Sequence, residues 1–364
     1  MEKTVQVHVH VQVHGAPAAR TNDMRVSGVE GSGRRCYEER AMSDEVDEQG
    51  RLITENVRER EFEVDHNFHG WRLDQFLANR IPRISRSFAG RIAKEGDVEV
   101  IPRRKVKAGT KLREDDLVIL REELEPERVQ DHEVEILYRD EALIVVGKPA
   151  GMLVHESSSV RLNTITKYLE RAGFDEGEPV HRLDRETSGV LVCAAKHKYV
   201  AELRGMFATT HPEKVYRALV HDPDGRWQVG DKRTITDPLG IDPDSVLDIK
   251  MGHGDLDATT HVEVLGRVDH AFGAMADLKV TIETGRQHQI RIHLAMQGTP
   301  IAGDKLYSLD DEFFMAICAA PDNEELLAKL PFDRHALHAW QMRMAHPTSG
   351  EMVEFEAPVP SIWR

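Results

Sequence analysis

Residues 181–195 read HRLDRETSGVLVCAA, and this stretch decides how the chain is interpreted. A polar segment with an acid between two arginines ends in Ser188-Gly189, and an apolar run follows at once. A short apolar run after such a turn predicts a buried strand. We therefore expect Asp184 on a loop at the edge of a rigid sheet, where catalytic groups are commonly placed.

The composition is that of a globular protein. The chain has 364 residues, 40% hydrophobic and 30% charged, which is enough for two or three domains. We find no apolar run near the roughly 18 residues that a membrane helix needs, and no signal peptide pattern. The three cysteines, Cys36, Cys193 and Cys318, lie far apart, which favours a reduced cytoplasmic compartment over a disulfide framework or a zinc site.

The charge is distributed unevenly along the chain. A net charge of −15 by itself argues against an RNA-binding protein. However, residues 37–63 carry ten acids and four bases, whereas residues 72–121 carry thirteen bases and seven acids. Because screening confines electrostatic effects to about 8 Å, the local basic region matters more than the total.

Residues 1–67 are polar, acidic and without sustained periodicity, so we expect a disordered or poorly ordered extension. Residues 5–14, VQVHVHVQVH, are an exception because they alternate with period two. They predict either a strand with histidines on one face, a possible metal site, or an unpaired tail. An isolated strand is not stable alone, which favours the tail.

Residues 68–121 predict a small basic α/β module. Apolar residues at helical spacing predict a first helix that ends at Pro82. Ser85 is a good N-cap for a second helix, which stops at Gly96. Short strands are predicted at 98–101 and 117–120. The pattern resembles the alpha-L (S-four) RNA-binding module. A basic run is often only a solvated face; the module pattern favours RNA contacts. The candidate residues are Arg83, Arg86, Arg91, Lys94, Arg103 and Arg104.

An acidic linker at 122–135 leads to a larger domain at 136–364. Residues 143–155, LIVVGKPAGMLVH, predict a buried strand, a Pro/Gly turn and a second strand, and residues 163–173 predict an amphipathic helix. Strands and helices do not alternate strictly, which favours an α+β fold over a doubly wound one.

Several ordered motifs in the larger domain resemble those of the RluA-type pseudouridine synthases. The stretch at 181–192 resembles the family's catalytic motif. The others are K-P-x-G-x-x-V-H at 148–155, K-x-Y-x-A at 214–218, T-G-R-x-H-Q-I-R-x-H-L at 284–294 and G-x-P-I-x-G-D-x-x-Y at 298–307. The resemblance covers about residues 70–364. It implies a mixed, mainly antiparallel catalytic sheet and an isomerase that converts uridine to pseudouridine in RNA, with the target base flipped out and no cofactor or metal.

The resemblance also implies three catalytic residues. Asp184 is the nucleophile, Arg291 pairs with it, and Tyr216 stacks on the target base and has been considered as the base that removes a ribose proton. Burial alone would protonate the aspartate, whereas a guanidinium, which stays charged, offsets that effect. Most Arg–Asp pairs are structural and most strand tyrosines pack in the core, so these assignments depend on the family motifs.

Two further arginines are implied as RNA contacts. Arg182 resembles the family residue that occupies the gap left by the extruded nucleotide. Arg286 precedes a predicted helix, whose N-terminal amides attract phosphate. His181 is interpreted as a structural turn residue.

The chain departs from the family pattern in two acidic segments. Residues 241–257 carry five aspartates where basic residues are common, so this loop either points away from RNA or indicates a different substrate. The insertion at 308–333 has no assigned role.

Three hypotheses follow. The first is a monomeric uridine isomerase without membrane association, acting on ribosomal RNA, with transfer RNA as the alternative substrate. The second is a non-catalytic RNA-binding descendant of the fold. The third is a metal hydrolase that uses His155, His181 and Asp184, although their spacing is not that of a compact ligand set.

Overall fold

The computed structural model of the protein describes residues 45–46, 52–53, 57–81, 85–95, 98–102, 106–123, 127, 129–157 and 160–363. Among these, the residues up to Val129 form one compact unit and those from Gln130 form another. The histidine-rich stretch at 5–14, Arg83, Arg103 and Arg104 lie outside the described residues.

The N-terminal unit contains two helices and a three-stranded antiparallel sheet. Its elements are β1 (Glu45–Val46), β2 (Leu52–Ile53), β3 (Val57–Glu63), α1 (Leu73–Arg80), α2 (Arg86–Glu95), β4 (Val98–Ile101) and β5 (Leu117–Glu123). The sheet has the order β3-β5-β4, and β1 pairs with β2. Leu73, Phe76 and Leu77 of α1 are fully buried in a core that also includes Ile92 of α2. These apolar residues repeat at helical spacing, which is why the two helices were predictable.

The unit begins earlier than the sequence indicated. The helices and strands expected between 68 and 121 are present, but strand β3 lies within the stretch expected to be poorly ordered and pairs with β5 along its whole length. Phe62 and Val64 are the apolar residues that anchor this segment in the core. Because β3 is an edge strand whose other positions are mostly charged, its signal in the sequence is weak. The predicted acidic linker is likewise shorter, since β5 extends to Glu123.

The second unit contains most of the strands. They are β6 (Glu135–Arg139), β7 (Leu143–Lys148), β8 (Glu178–Pro179), β9 (Ser188–Ala194), β10 (Glu213–His221), β11 (Lys232–Ile235), β12 (Leu239–Ile241), β13 (Met251–His253), β14 (Thr260–His270), β15 (Gly273–Ile282), β16 (Leu337–Ala345) and β17 (Met352–Glu356). Its helices are α3 (Ile165–Arg171), α4 (His197–Thr209), α5 (Gln289–Met296), α6 (Asp311–Ala319) and α7 (Glu324–Leu327).

A ten-stranded sheet organises this unit. Its order is β11-β14-β15-β10-β16-β9-β7-β6, with β17 beside β16 and β8 beside β9. The β16–β9 pair is parallel, and the other pairs in the sheet are antiparallel. The expected α+β fold with a mixed, mainly antiparallel sheet is confirmed.

Strand β9 explains why residues 190–195 form an unbroken apolar run. Every residue of the strand is buried. Leu191 and Cys193 contribute to the main core, whereas Val190, Val192 and Ala194 contribute to a second core on the opposite face of the sheet. A strand covered on both faces has no solvated positions, so its sequence does not alternate.

The catalytic motif enters this strand through a glycine that no other residue can replace easily. Gly189 has φ +116°, and a Cβ at this position would overlap the carbonyl oxygen of Ala339 on the parallel neighbour β16. The close approach of the two backbones fixes the end of the Asp184 loop against the sheet.

Candidate active site

The loop between β8 and β9 carries Asp184, as the sequence predicted. Lys148, a buried lysine at the end of β7, is hydrogen-bonded to this loop. The Lys148 Nζ donates to the carbonyl oxygens of Met152 at 2.8 Å and Arg185 at 3.0 Å. Burial lowers the pKa of Lys148 to about 7, although the nearby Asp184 charge acts in the opposite direction. The lysine therefore fastens the turn after β7 to the catalytic loop through backbone acceptors.

A second set of contacts fixes the far side of the loop. The Glu186 carboxylate accepts a hydrogen bond from the backbone N–H of His335 at 3.1 Å and forms an ion pair with Lys305. Thr187 and His335 are joined by a hydrogen bond of 2.7 Å between Oγ1 and Nε2. Arg185, Glu186 and Thr187, the three residues that follow Asp184, are thus tied to separate parts of the fold.

Arg291, on helix α5, bridges two carboxylates. Its Nη1 donates to Asp184 Oδ2 at 2.9 Å, while its Nε and Nη2 donate to the two oxygens of Asp304 at 2.6 and 2.9 Å. Asp304 is fully buried and also accepts the backbone N–H of Leu306 at 3.0 Å. The planar guanidinium suits this arrangement because one edge can bind a carboxylate with two hydrogen bonds while another N–H points elsewhere.

The electrostatics keep Asp184 ionised. Burial raises its pKa, but the positive charge of Arg291 and the hydrogen bond from it prevail, and the net pKa is below the usual aspartate value. For Asp304, burial also opposes ionisation, and Arg291 and the backbone donor nevertheless lower the pKa to about 2. At neutral pH both carboxylates are therefore ionised and share one guanidinium.

The two carboxylate oxygens of Asp184 differ in their hydrogen bonds. Oδ2 accepts from Arg291, whereas Oδ1 receives no hydrogen bond from any residue that the structure describes. The side chain is 24% exposed, so a molecule from solution can reach it. An ionised oxygen that is accessible and not engaged is what nucleophilic catalysis requires.

Tyr216 lies on β10 and belongs to the same core cluster as Leu183, the neighbour of Asp184. The side chain is 8% exposed. Burial raises the pKa of its hydroxyl, and the Asp184 charge raises it further. The phenol therefore stays protonated at neutral pH.

A histidine and a tyrosine adjoin the aspartate. His288 Nε2 lies 3.9 Å from Asp184 Oδ2, and its Nδ1 lies 2.9 Å from the hydroxyl of Tyr307. That hydroxyl also accepts the backbone N–H of Met251 on β13 at 3.0 Å.

The acidic hairpin formed by β12 and β13 contacts the start of α6 and the loop before α5 through polar side chains. Ser245 donates to Asp311 Oδ2 at 2.5 Å, and Lys250 forms an ion pair with the same carboxylate at the start of α6. The Gln287 side chain donates to the Ile249 carbonyl at 3.3 Å. The two acidic segments that depart from the family pattern are therefore joined to each other and to the loop before α5.

The predicted RNA contacts that lie within the described residues are all at the surface. Arg182 is exposed within the loop that carries Asp184, and Arg286 is exposed before α5, where its Nε donates to the Asp257 carbonyl at 3.0 Å. Arg86, Arg91 and Lys94 are exposed on α2 of the other unit, and Arg86 lies 3.4 Å from Asp74.

The geometry contradicts the metal-hydrolase alternative. His181 Nε2 accepts the backbone N–H of Val192 at 2.9 Å, and its ring stacks on Phe207 with centroids 4.6 Å apart. That lone pair is unavailable to a metal, and among the described residues there is no group of three potential ligands. His181 is a structural residue, as expected. No helix in the described part of the chain has the length and apolarity to cross a membrane.

Sequence reasoning did not assign roles to Lys148, Glu186, His288 or Asp304. Each of these residues lies within one of the motifs quoted above. Their contact partners could not be predicted, because the contacts join segments up to about 150 residues apart in sequence.

Comparison with known proteins supports the family that the motifs resemble. Residues 142–296 match the family model described as RNA pseudouridylate synthase. The chain is 32% identical to "Ribosomal large subunit pseudouridine synthase D" of Nitrosomonas europaea, over 84% of this chain and 86% of the relative. It is 30% identical to "Ribosomal large subunit pseudouridine synthase C" of Vibrio parahaemolyticus, over 82% of this chain and 92% of the relative.

A solved structure agrees as well. "Human RNA Pseudouridylate Synthase Domain Containing 1" superposes with a TM-score of 0.50 and 25% identity, covering 64% of this chain and 86% of that chain. The chain belongs to the RNA pseudouridine synthase family. It is accordingly an isomerase that converts uridine to pseudouridine in RNA, which confirms the activity that the motifs implied.

Proposed function

We propose that the protein isomerises uridines in ribosomal RNA and that Asp184 is the nucleophile. The observation that carries the proposal is the asymmetric carboxylate. Arg291 donates to Oδ2 and keeps the group ionised, whereas Oδ1 receives no hydrogen bond from the described residues, and the side chain as a whole is 24% exposed. The relatives named for the large ribosomal subunit support this choice of RNA. Transfer RNA is the alternative substrate.

The reaction needs one carboxylate that can form a bond and be released again. Attack by Oδ1 at the ribose breaks the bond between the ribose and N1, and the negative charge passes to the detached uracil; attack at the uracil ring places the charge on that ring instead. In either case the charge returns to the carboxylate when the ribose is joined to carbon 5 and the bond to Oδ1 breaks. The proton of carbon 5 is then lost, and N1 gains a proton. Arg291 stays protonated throughout, because the pKa of its guanidinium is raised by Asp304 and Asp184 against the opposing effect of burial. Asp304 keeps the guanidinium in place during both steps.

Tyr216 and Arg182 have separate roles in exposing the base. A stacked nucleotide must leave the helix before Asp184 can reach it. Tyr216 would stack on the extruded uracil, a contact worth about 1–3 kcal/mol per base. Its raised pKa favours this role over that of a proton-abstracting base, since the phenolate, the form that could accept a proton, is scarcely populated at neutral pH. The exposed Arg182 would fill the gap left in the RNA.

The N-terminal unit would supply affinity for the RNA backbone. Arg86, Arg91 and Lys94 on α2, with Arg83, Arg103 and Arg104, are the proposed phosphate contacts. The resemblance of this unit to the alpha-L (S-four) module supports the proposal. A cytoplasmic location and a monomeric state remain predictions.

The decisive experiment compares wild-type protein with Asp184→Asn and Asp184→Ala on protein-free large-subunit ribosomal RNA and on a transfer RNA pool. Pseudouridine is measured by mass spectrometry, and RNA affinity by filter binding. We expect isomerisation of ribosomal RNA by the wild type only, with nearly equal affinity for all three proteins. A variant with a tenth of the wild-type rate has lost only about 1.4 kcal/mol of transition-state stabilisation. Such a variant would contradict the nucleophile assignment.

The other outcomes separate the alternatives. Pseudouridine formed only in the transfer RNA pool overturns the choice of substrate. A wild-type protein that binds RNA and modifies none supports a binding role. Mapping pseudouridines in a strain that lacks the gene then identifies the position in the native RNA.

A further inference from the structure

His288, the second side chain that faces Asp184 after Arg291, lies at the end of a hydrogen-bond chain that runs from Met251 through Tyr307. The Met251 backbone N–H can only donate, so the Tyr307 hydroxyl oxygen accepts this bond. Its own proton is then available for His288 Nδ1, 2.9 Å away. Among the described residues, Tyr307 Oη has no other acceptor within hydrogen-bonding distance.

This chain selects one tautomer of the imidazole. If Tyr307 donates to Nδ1, that nitrogen is unprotonated and the proton of the neutral ring is on Nε2. The opposite tautomer would leave the phenol proton without a partner and would direct the Nε2 lone pair at the Asp184 carboxylate. Both consequences are unfavourable in a buried site.

The ring is held in this orientation by its backbone and its neighbours. His288 has φ 54° and ψ 17°, a left-handed conformation that is uncommon for a residue other than glycine. Its ring meets that of Tyr307 edge to face at 5.7 Å, and the Arg291 guanidinium lies 5.1 Å from the centre of the Tyr307 ring. The His288 side chain is 11% exposed. Burial, with the Arg291 charge, lowers its pKa to about 4, so the ring is neutral at pH 7.

We propose that His288, fixed by Tyr307 as the Nε2–H tautomer, is a positioning residue that directs a second N–H donor at Oδ2 of Asp184 and so leaves Oδ1 as the attacking oxygen. The Nε2–Oδ2 distance of 3.9 Å is too long for a hydrogen bond in the free protein. Catalytic contacts commonly lengthen in the free enzyme and tighten in the substrate complex, and the proposal requires this contact to do the same. This inference rests on the proposed nucleophile, and it extends the site to the hairpin that carries Met251.

The tautomer is tested first, in the free wild-type protein. Nitrogen-15 NMR of histidine-labelled protein distinguishes protonated from unprotonated ring nitrogens, and His288→Asn identifies the signals that belong to residue 288. We expect a protonated Nε2 and an unprotonated Nδ1 at pH 7, with the pattern altered in Tyr307→Phe. A protonated Nδ1, or a charged ring, overturns the inference. This measurement does not depend on activity, so it is separate from the failure of the proposed function.

Kinetics with a matched pair of variants tests the positioning role. Asn places a polar group near the position of Nδ1 and tolerates the left-handed backbone, but it lacks the outer donor. Gln can place an amide N–H near the position of Nε2. We expect kcat to fall about 10- to 100-fold in His288→Asn, as for the loss of a hydrogen bond to a charged group, with KM unchanged and partial recovery of kcat in His288→Gln.

Thermal unfolding of both variants shows whether a lower kcat reflects loss of the fold. Wild-type kcat in a folded His288→Asn overturns the role, and so does a rise in KM alone, which would indicate direct substrate binding. If the wild-type protein isomerises no uridine, the proposed function fails, and the NMR result still decides the state of His288.

Discussion

Two arginine–carboxylate ion pairs in the second unit, which begins at Gln130, have the same chemistry but differ in how deeply they are buried. Arg291 contacts Asp304 at 2.6 Å with side chains 9% and 0% exposed, whereas Arg204 contacts Glu178 at 2.6 Å with side chains 50% and 32% exposed. Solvent screens the second pair, and its expected contribution is about 0–1 kcal/mol. The first pair is shielded from water, so each charge depends on its partner. This difference separates a site that can hold a reactive carboxylate from an ordinary surface contact.

The largest effect is expected from removing the buried cation. Arg291→Met leaves Asp184 and Asp304 without their shared partner, and we expect a loss of about 3–5 kcal/mol in the free energy of unfolding, as for a broken buried ion pair. Isomerisation at pH 7 should be lost as well, because the Asp184 pKa rises. Urea unfolding and a single-turnover assay measure the two effects.

Arg204→Met is the matched control for that experiment. The exposed pair should change stability by less than about 1 kcal/mol and leave activity unchanged. Equal stability losses in the two variants would remove the distinction between the buried and the exposed pair.

The pH dependence of stability sharpens the same comparison. The folded pKa of Asp304 is about 2, below its value in the unfolded chain. Its contribution is therefore complete above about pH 4 and is lost as the pH falls toward 2, with a magnitude of roughly 2 kcal/mol. In Asp304→Asn this part of the acid-induced loss should be absent, although the variant is less stable at pH 7. Unfolding curves recorded between pH 2 and 7 measure it, and parallel profiles for both proteins would contradict the assignment.

The pH dependence of activity should respond to the shape of the cation as well as its charge. Arg291→Lys keeps a positive charge but cannot bridge Asp184 and Asp304 with a planar fork. Because the wild-type pKa of Asp184 is lowered by Arg291 against the effect of burial, we expect activity to persist to a lower pH than an ordinary aspartate would allow. The acid limb of the kcat profile should move to higher pH in the lysine variant. An unchanged limb would show that the guanidinium geometry does not matter.

The smallest effect on stability is expected on α2 of the N-terminal unit. Arg91→Gln combined with Lys94→Gln should change the free energy of unfolding by no more than about 0.5 kcal/mol, since both side chains are exposed. RNA binding should weaken, and the slope of log affinity against log salt should decrease by roughly two. Lys196→Gln combined with Lys198→Gln, which removes two cations paired with Glu141, is the control for total charge. A slope that changes equally in the control would remove α2 from the proposed RNA contact.

Local patterns predicted much of the fold. Helices α1, α2, α3 and α5 were predictable because apolar spacing and end signals lie within one segment of chain. Strand β3 was not predicted, because an edge strand with many charged residues has a weak hydrophobic pattern. The acidic hairpin of β12 and β13 was recognised only as a departure from the family motifs, and its place in the fold was not predicted. Its attachment to Asp311 and Tyr307 involves residues far apart in sequence.

The sequence by itself determined the family and the α+β class and marked Asp184, Tyr216 and Arg291 as candidate catalytic residues, because those are inferences from residue types at fixed spacing. Only the tertiary structure decided that Arg291 is shared with Asp304, that Oδ1 is the open oxygen of Asp184, and that His288 faces Oδ2. The physical reason is that ionisation and hydrogen-bond direction depend on burial and on partners that folding brings together from distant segments.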